Sequence, residues 1–304
     1  MNNKNLDLIF KQSGPFSHIS SEGLEGIVFR DDKDRYAALV YMTAAANESN
    51  TEILAYALMS NHVHFILQGD NPMHFYERFI LRMNQYLSRH GRGNKLLPSR
   101  PSITPLMDRY QFLDAVAYVV RNQYVVDQTV TPYSELWTSG YLYFNSLFHQ
   151  ASAMLPYEPV EGLSARKLMQ LTFTKDQSIP LSGLKLLNGI PCPHRFVNYK
   201  VVEELFGTAR LFTIRVFKSV EAQMETALLL GETPFLPDEE LSREIWKYCK
   251  EKWNVKSVLQ LTREQKYELA KHMKYNYHAS NGQIVRISSL PQKDVDALFP
   301  MSRK

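Results

Sequence analysis

The stretch that decides the fold reads MSNHVHFIL, residues 59–67. Its second half belongs to an apolar run over residues 63–68, and a similar run covers residues 51–58. Both runs are short and rich in aliphatic and aromatic residues, and a polar break at Ser60 and Asn61 separates them. This pattern is typical of two neighbouring strands. The sequence therefore predicts a pair of strands at this point.

Two histidines in this stretch, His62 and His64, are two residues apart. On a strand such residues point to the same face, while Val63 and Phe65 point to the other face and into the packing. Two neutral imidazole rings side by side make half of a binding site for a divalent metal ion. The alternative is a pair of histidines at a strand end that binds nothing, so the pair needs a partner elsewhere in the chain.

The residues around the strand pair indicate helices. Apolar spacing and capping signals predict the following order: an edge strand or hairpin (16–29), a helix (32–47), the two strands, a helix that opens at Asn71-Pro72, a loop (89–105) and a helix (112–126). This order predicts an α+β fold, with an antiparallel sheet flanked by helices, in a first domain of residues 1–150.

Composition limits the class of protein. The chain has 304 residues, 44% of them hydrophobic and 22% charged, which is ordinary for a folded protein with room for more than one domain. No apolar run approaches the ~20 residues of a membrane span, and the first residues lack the apolar segment of a signal peptide. The two cysteines, Cys192 and Cys249, show no metal-ligand spacing. We therefore predict a cytoplasmic protein without a membrane partner.

Positive charge concentrates in one segment. The formal net charge is +4, but between Tyr76 and Tyr124 eight Lys or Arg residues stand against three acids. A local excess of this kind indicates a polyanionic partner, and Arg78, Arg82 and Arg121 are the candidate contacts to it. A solvated basic surface without a partner is the alternative explanation for the same charges.

The partner that the histidine pair needs is on the helix predicted over residues 112–126. Tyr118 and Asn122 are four residues apart and share a helix face. They lie roughly opposite an apolar stripe, which consists of Leu113, Val116, Ala117, Val120 and Tyr124. A tyrosine that serves packing is more often on the stripe. The alternative is an exposed tyrosine and asparagine without a chemical role.

These motifs resemble the HUH single-tyrosine transposases, and within them the REP-associated tyrosine transposases and their insertion-sequence relatives. Residues 59–67 are similar to the family's His-hydrophobic-His signature, and Tyr118-Val119-Val120-Arg121-Asn122 is similar to its Tyr-x-x-x-Asn/Gln helix. Weaker similarity lies in Trp137-Thr138-Ser139-Gly140-Tyr141 and in the opening segments His18–Gly23 and Val28–Asp32. The resemblance covers about residues 10–145.

The resemblance implies a ferredoxin-like HUH domain that cleaves and rejoins single-stranded DNA, at hairpin-forming sequences, through a 5′-phosphotyrosine. It assigns the nucleophile to Tyr118 and the metal, Mg²⁺ or Mn²⁺, to His62, His64 and Asn122, whereas imidazole ligands alone would indicate a softer ion. It also allows a homodimer. Two alternatives stay open: a catalytically silent DNA-binding regulator of the same ancestry, and an unrelated metal-dependent hydrolase.

The remainder of the chain is predicted to be a mostly helical middle region, residues 151–230, and a helical, helix-turn-helix-like DNA-binding region, residues 231–304. In the latter, two capping boxes open helices, and from Arg263 to Lys304 eight basic residues stand against four acids. Gln283, Arg286 and Lys293 are the candidate DNA contacts. A small helical bundle that serves folding or dimerisation is the alternative.

Overall fold

The structure is a computed structural model. It describes residues 3–21, 28–92, 101–126, 131–134, 136–176, 178–218, 220–231, 236, 238–255, 257–277 and 279–299. Contacts group the chain into two compact units, one of residues 1–218 with 229–232 and one of residues 219–228 with 233–304. The division into three domains at residues 150 and 230 stays a prediction, and the residues on both sides of position 150 belong to one unit.

A four-stranded antiparallel sheet forms the centre of the first unit. The elements up to residue 126 are α1 (Asn3–Ser13), β1 (Phe16–Ser21), α2 (Asp32–Ser49), β2 (Glu52–Leu58), β3 (Val63–Gln68), α3 (Pro72–Arg89), β4 (Pro101–Leu106) and α4 (Arg109–Val126). The strands lie in the order β2-β3-β1-β4, and each neighbouring pair is antiparallel. The predicted α+β class with an antiparallel sheet and helices is confirmed.

Two strands differ from the prediction. β1 is not an edge strand, because it pairs with β3 on one side and with β4 on the other. β4 occupies residues that were predicted as a loop, because residues 89–105 are rich in Gly, Pro and Arg. Proline is tolerated at a sheet edge, and β4 pairs with β1 alone among the described strands. Residues 22–27 and 93–100, which belong to the same predicted segments, lie outside the described residues.

Helices cover both faces of this sheet. α2 and α3 pack on one face, where Ile19, Phe65 and Leu67 are buried. α4 packs on the other face, over Phe16 and Ile66. The division follows from the alternation of side chains along a strand, so every second residue of β1 and β3 faces α4.

Later residues cover the β2 edge of the sheet. The amide of Leu58 donates to the carbonyl oxygen of Trp137, and that of Ser139 donates to Tyr56. Further along the chain, Val197 forms a parallel bridge to Ile53. These bonds satisfy backbone groups that an edge strand otherwise presents to other chains.

The middle region contains both helices and a small sheet. Its elements are α5 (Ser146–Ala153), β5 (Glu158–Pro159), α6 (Ala165–Thr172), β6 (Lys185–Leu187), β7 (Ile190–Pro191), α7 (Tyr199–Phe206) and α8 (Ala209–Val216). The three short strands form an antiparallel sheet in the order β5-β6-β7. α7 and α8 pack on α4 through Val202, Leu205 and Phe212.

The described part of the second unit is helical. It contains α9 (Val220–Leu229) except its last residue, and then α10 (Asp238–Trp253), α11 (Arg263–Tyr277), α12 (Asn281–Ser288) and α13 (Gln292–Leu298). Both predicted capping boxes are present, and each pairs a side chain with the backbone three residues away: Thr262 with Gln265, and Ser280 with Gln283. The helix-turn-helix assignment stays a prediction. None of the helices in the described ranges combines the length and apolar character needed to cross a bilayer.

Glu48, near the end of α2, bonds two arginines of α3. Its carboxylate accepts a hydrogen bond from Nε of Arg78 at 2.5 Å and two from Arg82, at 2.7 and 2.5 Å. Burial works to raise the pKa of Glu48, but the hydrogen bonds and charges of the two guanidinium groups outweigh it and lower the pKa to about 2. The cluster therefore joins α2 to α3 on the face of the sheet opposite α4.

We expect Glu48→Gln to lower the free energy of unfolding at neutral pH by at most roughly 3 kcal/mol, since a shift of one pKa unit corresponds to about 1.4 kcal/mol. The pKa of Glu48 in the fold lies below its ordinary value of 4.5. Its contribution is therefore complete above pH 4.5 and is lost as the pH falls towards 2. Urea unfolding of wild type and variant across this range measures the effect. Glu77→Gln, an exposed change on α3, is the control, and a loss for Glu48→Gln that does not vary with pH would contradict the expectation.

Candidate functional site

His64 lies at the centre of a group of side chains between the sheet and α4. Its ring is fully buried, and its centroid is 4.8 Å from the ring of His62 and 5.9 Å from the ring of Tyr118. His62 directly precedes β3, Tyr118 lies on α4, and both are half-buried. Two segments that are far apart in the sequence thus bring two imidazoles and one phenol together.

Tyr118 reaches His64 because α4 is buried almost all round. Seven hydrophobic residues within the two turns around it are buried: Phe112, Leu113, Ala115, Val116, Ala117, Val119 and Val120. On β2 the residue opposite His64 is Ala57, which is small and lets the helix approach. Tyr118 does not point away from the core as its place opposite the apolar stripe suggested. It packs against the core, and its ring contacts His64 of the sheet. The apolar stripe did not mark the single buried side of α4, because α7 and α8 cover the outer side of this helix as well.

A close contact at Gly140 fixes the position of α4. A Cβ atom at this residue would lie 2.0 Å from the carbonyl oxygen of Pro132 and 2.6 Å from Cγ1 of Val120. Real Cβ atoms do not approach other atoms so closely, so only glycine fits. The segment that carries Trp137 to Gly140 therefore contacts both α4 and, through its backbone, β2.

The histidine rings are held by hydrogen bonds at their Nδ1 atoms. Nδ1 of His62 lies 2.8 Å from Oδ1 of Asn61, and Nδ1 of His64 lies 3.3 Å from Nε2 of His18. His18 is on β1 and is fully buried. His18 was not predicted as a site residue, because only the pairing of β1 with β3 brings it to His64. The sequence signal that could have indicated His18 is a histidine in the predicted strand that became β1.

Arg121 and Asn122 lie about one turn after Tyr118 on α4. Asn122 is half-buried, and its Nδ2 is enclosed and makes no hydrogen bond within the described residues. Arg121 is 5% exposed. Imidazole nitrogens with an amide oxygen are a donor set that first-row divalent ions accept. The described ranges hold no group of three or more His, Cys, Asp or Glu side chains that could bind a metal. A metal at the histidine pair would therefore need ligands such as Asn122, water or substrate.

Tyr110 is the other tyrosine of α4 whose side chain the structure describes, and it is placed differently. It lies two turns before Tyr118, is 50% exposed and has the guanidinium groups of Arg109 and Arg215 over its ring, at 5.9 and 5.6 Å from the centroid. The ring contacts that the structure gives to Tyr110 are with these arginines, whereas Tyr118 contacts His64. Tyr118 is thus the better placed of the two.

The predicted DNA contacts fall into three groups. Arg121 lies on α4, about one turn after Tyr118, and is buried, so its role as a DNA contact stays a prediction. Arg78 and Arg82 are both paired with Glu48 in the helical layer on the other face of the sheet. The other three, Gln283, Arg286 and Lys293, belong to the second unit.

Gln283 is a correction to the prediction. Its side chain is 3% exposed, caps α12 through the Ser280 amide and donates from Nε2 to the carbonyl oxygen of Leu236 at 2.6 Å. A buried amide engaged in this way is not available to DNA. Arg286 is exposed but pairs with Asp238, and Lys293 is exposed on α13.

Comparison with known proteins gives little further guidance. No protein-family model matches the sequence, and no curated protein matches it. One solved structure similar to part of the chain is a REP-associated tyrosine transposase bound to a REP hairpin. The two chains are 15% identical in sequence, and their alignment covers 47% of this chain and 81% of the transposase chain, with a TM-score of 0.33. A TM-score this low does not establish a common fold.

We expect Gln283→Ala to destabilise the second unit by about 1–3 kcal/mol, because it removes a helix cap and leaves a buried carbonyl without its donor. Lys293→Ala, on the exposed side of α13, should change stability by less than about 0.5 kcal/mol. Urea unfolding followed by tryptophan fluorescence measures both, since Trp246 and Trp253 lie in this unit. Equal stability of the Gln283 variant and the wild type would show that the cap contributes nothing.

Proposed function

We propose that this protein is a metal-dependent transposase or endonuclease of single-stranded DNA, which cleaves and rejoins DNA through a covalent bond to Tyr118. The observation that carries the proposal is the approach of Tyr118, from a separate element, to His64, whose ring in turn contacts His62. The resemblance of both motifs to the HUH single-tyrosine transposases supports it. The order strand-helix-strand-strand-helix-strand, with the sheet order β2-β3-β1-β4, supports a ferredoxin-like HUH domain.

The reaction is a transesterification at phosphorus. The phenol oxygen of Tyr118 attacks the scissile phosphate, the tyrosine gives up its proton, and the bond from phosphorus to the 3′ oxygen breaks. The 3′ oxygen gains a proton, and the DNA is left as a 5′-phosphotyrosine. Because one phosphodiester replaces another, a second DNA end can reverse the step without ATP.

The chain's own residues set up this attack. A free tyrosine, with a pKa near 10, is a weak nucleophile at neutral pH. Packing of the Tyr118 ring against the core limits its motion, so the oxygen is held in place before the substrate arrives. His62, His64 and Asn122 would hold Mg²⁺ or Mn²⁺, which when bound neutralises charge on the phosphate.

Single-stranded or hairpin DNA is the proposed partner. In the first unit Arg121 is the candidate contact near the site. In the second unit Arg286 and Lys293 are the candidates on α12 and α13, which residues 289–291 separate as in a helix-turn-helix. The Lys293→Ala variant should keep its stability. A loss of DNA affinity in this variant would therefore report a lost contact and not a loss of folding. A homodimer and a cytoplasmic location stay predictions.

We expect His62→Ala to reduce cleavage of a labelled single-stranded hairpin by at least about 100-fold in Mg²⁺ or Mn²⁺, because it removes one of the two imidazoles. His62 is half-buried, so this variant should keep its fold, whereas His64→Ala would open a cavity under α4. His74→Ala, an exposed histidine of α3, is the control and should cleave normally. Full activity of the wild type in excess EDTA would remove the metal from the proposal.

We expect Tyr118→Phe to bind hairpin DNA and yet to form no protein–DNA adduct on a denaturing gel. The change removes one oxygen and keeps the ring that packs against His64, so folding should be nearly unaffected. Tyr110→Phe, on the same helix, is the matched control and should still form the adduct. The assignment fails if Tyr118→Phe forms the adduct and Tyr110→Phe does not. A wild type that binds the hairpin without any adduct would instead be a silent regulator.

A further inference from the structure

A third histidine, His18, contacts the proposed metal site from the neighbouring strand. Its Nε2 lies 3.3 Å from Nδ1 of His64, with the ring planes inclined at 27° and the centroids 5.6 Å apart. Both rings are fully buried. The distance and the low inclination fit a hydrogen bond between the two ring nitrogens.

The pairing of β1 with β3 produces this contact. Ser20 is directly opposite His64, and His18 is opposite Ile66. His18 and His64 are therefore diagonal neighbours on one face of the sheet, a separation that long side chains span. Both lie under α4, where buried polar atoms need hydrogen-bond partners.

We propose that His18 is a positioning residue, which accepts a hydrogen bond from Nδ1 of His64 and so presents Nε2 of His64 to the metal. The proposal rests on the proposed function. A neutral imidazole carries its proton on one nitrogen and a lone pair on the other. A proton on Nδ1 of His64 leaves the lone pair on Nε2, which is the atom that can bind a metal. Second residues that orient metal-binding histidines in this way are a recurring feature of metal sites.

The arrangement at His62 is the same in kind. Its Nδ1 lies 2.8 Å from the side-chain oxygen of Asn61, and an amide oxygen can only accept. Nδ1 of His62 is therefore the protonated atom, and the lone pair is on Nε2. Both histidines of the pair thus use Nδ1 for orientation, one through the preceding residue and one through a different strand.

Three variants test the role of His18. His18→Phe keeps an aromatic ring in the space but has no acceptor, and His18→Gln offers an amide oxygen at about the reach of Nε2. His74→Gln changes an exposed histidine of α3 and serves as the control. Two readouts apply to the full chain: the tautomer of His64 from ¹⁵N–¹H correlation spectra of the metal-free protein, and the affinity for Mn²⁺ alone from electron paramagnetic resonance of free Mn²⁺. Thermal unfolding of each variant monitors the fold.

In the wild type we expect His64 to be protonated at Nδ1, and in His18→Phe to shift towards Nε2–H or a mixture. Mn²⁺ affinity should fall about 10- to 100-fold in His18→Phe, recover most of the loss in His18→Gln and stay unchanged in His74→Gln. Either of two results overturns the proposal: His64 protonated at Nε2 in the wild type, or His18→Phe with unchanged tautomer and unchanged Mn²⁺ affinity. If the wild type does not bind Mn²⁺, the metal of the proposed function fails, while the tautomer of the metal-free protein still decides whether His18 orients His64.

Discussion

A shift of one residue between β1 and β3 would turn every side chain of one strand to the other face of the sheet. The observed register sets Ile19 opposite Phe65 and His18 opposite Ile66. Ile19 and Phe65 are buried against α2 and α3, so their hydrophobic burial resists such a shift. Because side chains alternate along a strand, the burial of Ile19 and Phe65 on one face keeps His18 and His64 on the other face, under α4. The candidate site thus depends on the opposite face of the sheet, which does not touch it.

The position of Tyr118 depends on both layers that enclose α4. The sheet accepts the helix closely because Ala57 faces it, and Gly140 lets a later segment reach Val120. Val202 and Phe212, of α7 and α8, bury the outer side of the helix. A middle region in which the sequence indicated no function therefore helps to place the proposed nucleophile.

Local patterns predicted the elements well, and long-range pairing decided what they missed. The strand over residues 63–68 and both capping boxes were predicted from neighbouring residues alone, as was the choice of His62, His64 and Tyr118, which the structure brings together. β4 was missed because its prolines argue against a strand until β1 is known to pair with it. His18, and the pairing of Arg78 with Glu48, depend likewise on contacts between distant segments. A count of charges cannot show whether an arginine is free for DNA or engaged within the fold.

The bonds along β2 also impose an order on biosynthesis. β2 and β3 are neighbours in the chain and can pair as soon as both have left the ribosome. The groups that protect the outer side of β2, at Trp137, Ser139 and Val197, are made much later. During that interval the nascent sheet carries an edge of unpaired backbone groups, which is the kind of surface that self-associates. Translation speed and chaperone capacity should therefore affect the yield of this protein more strongly than its final stability would suggest.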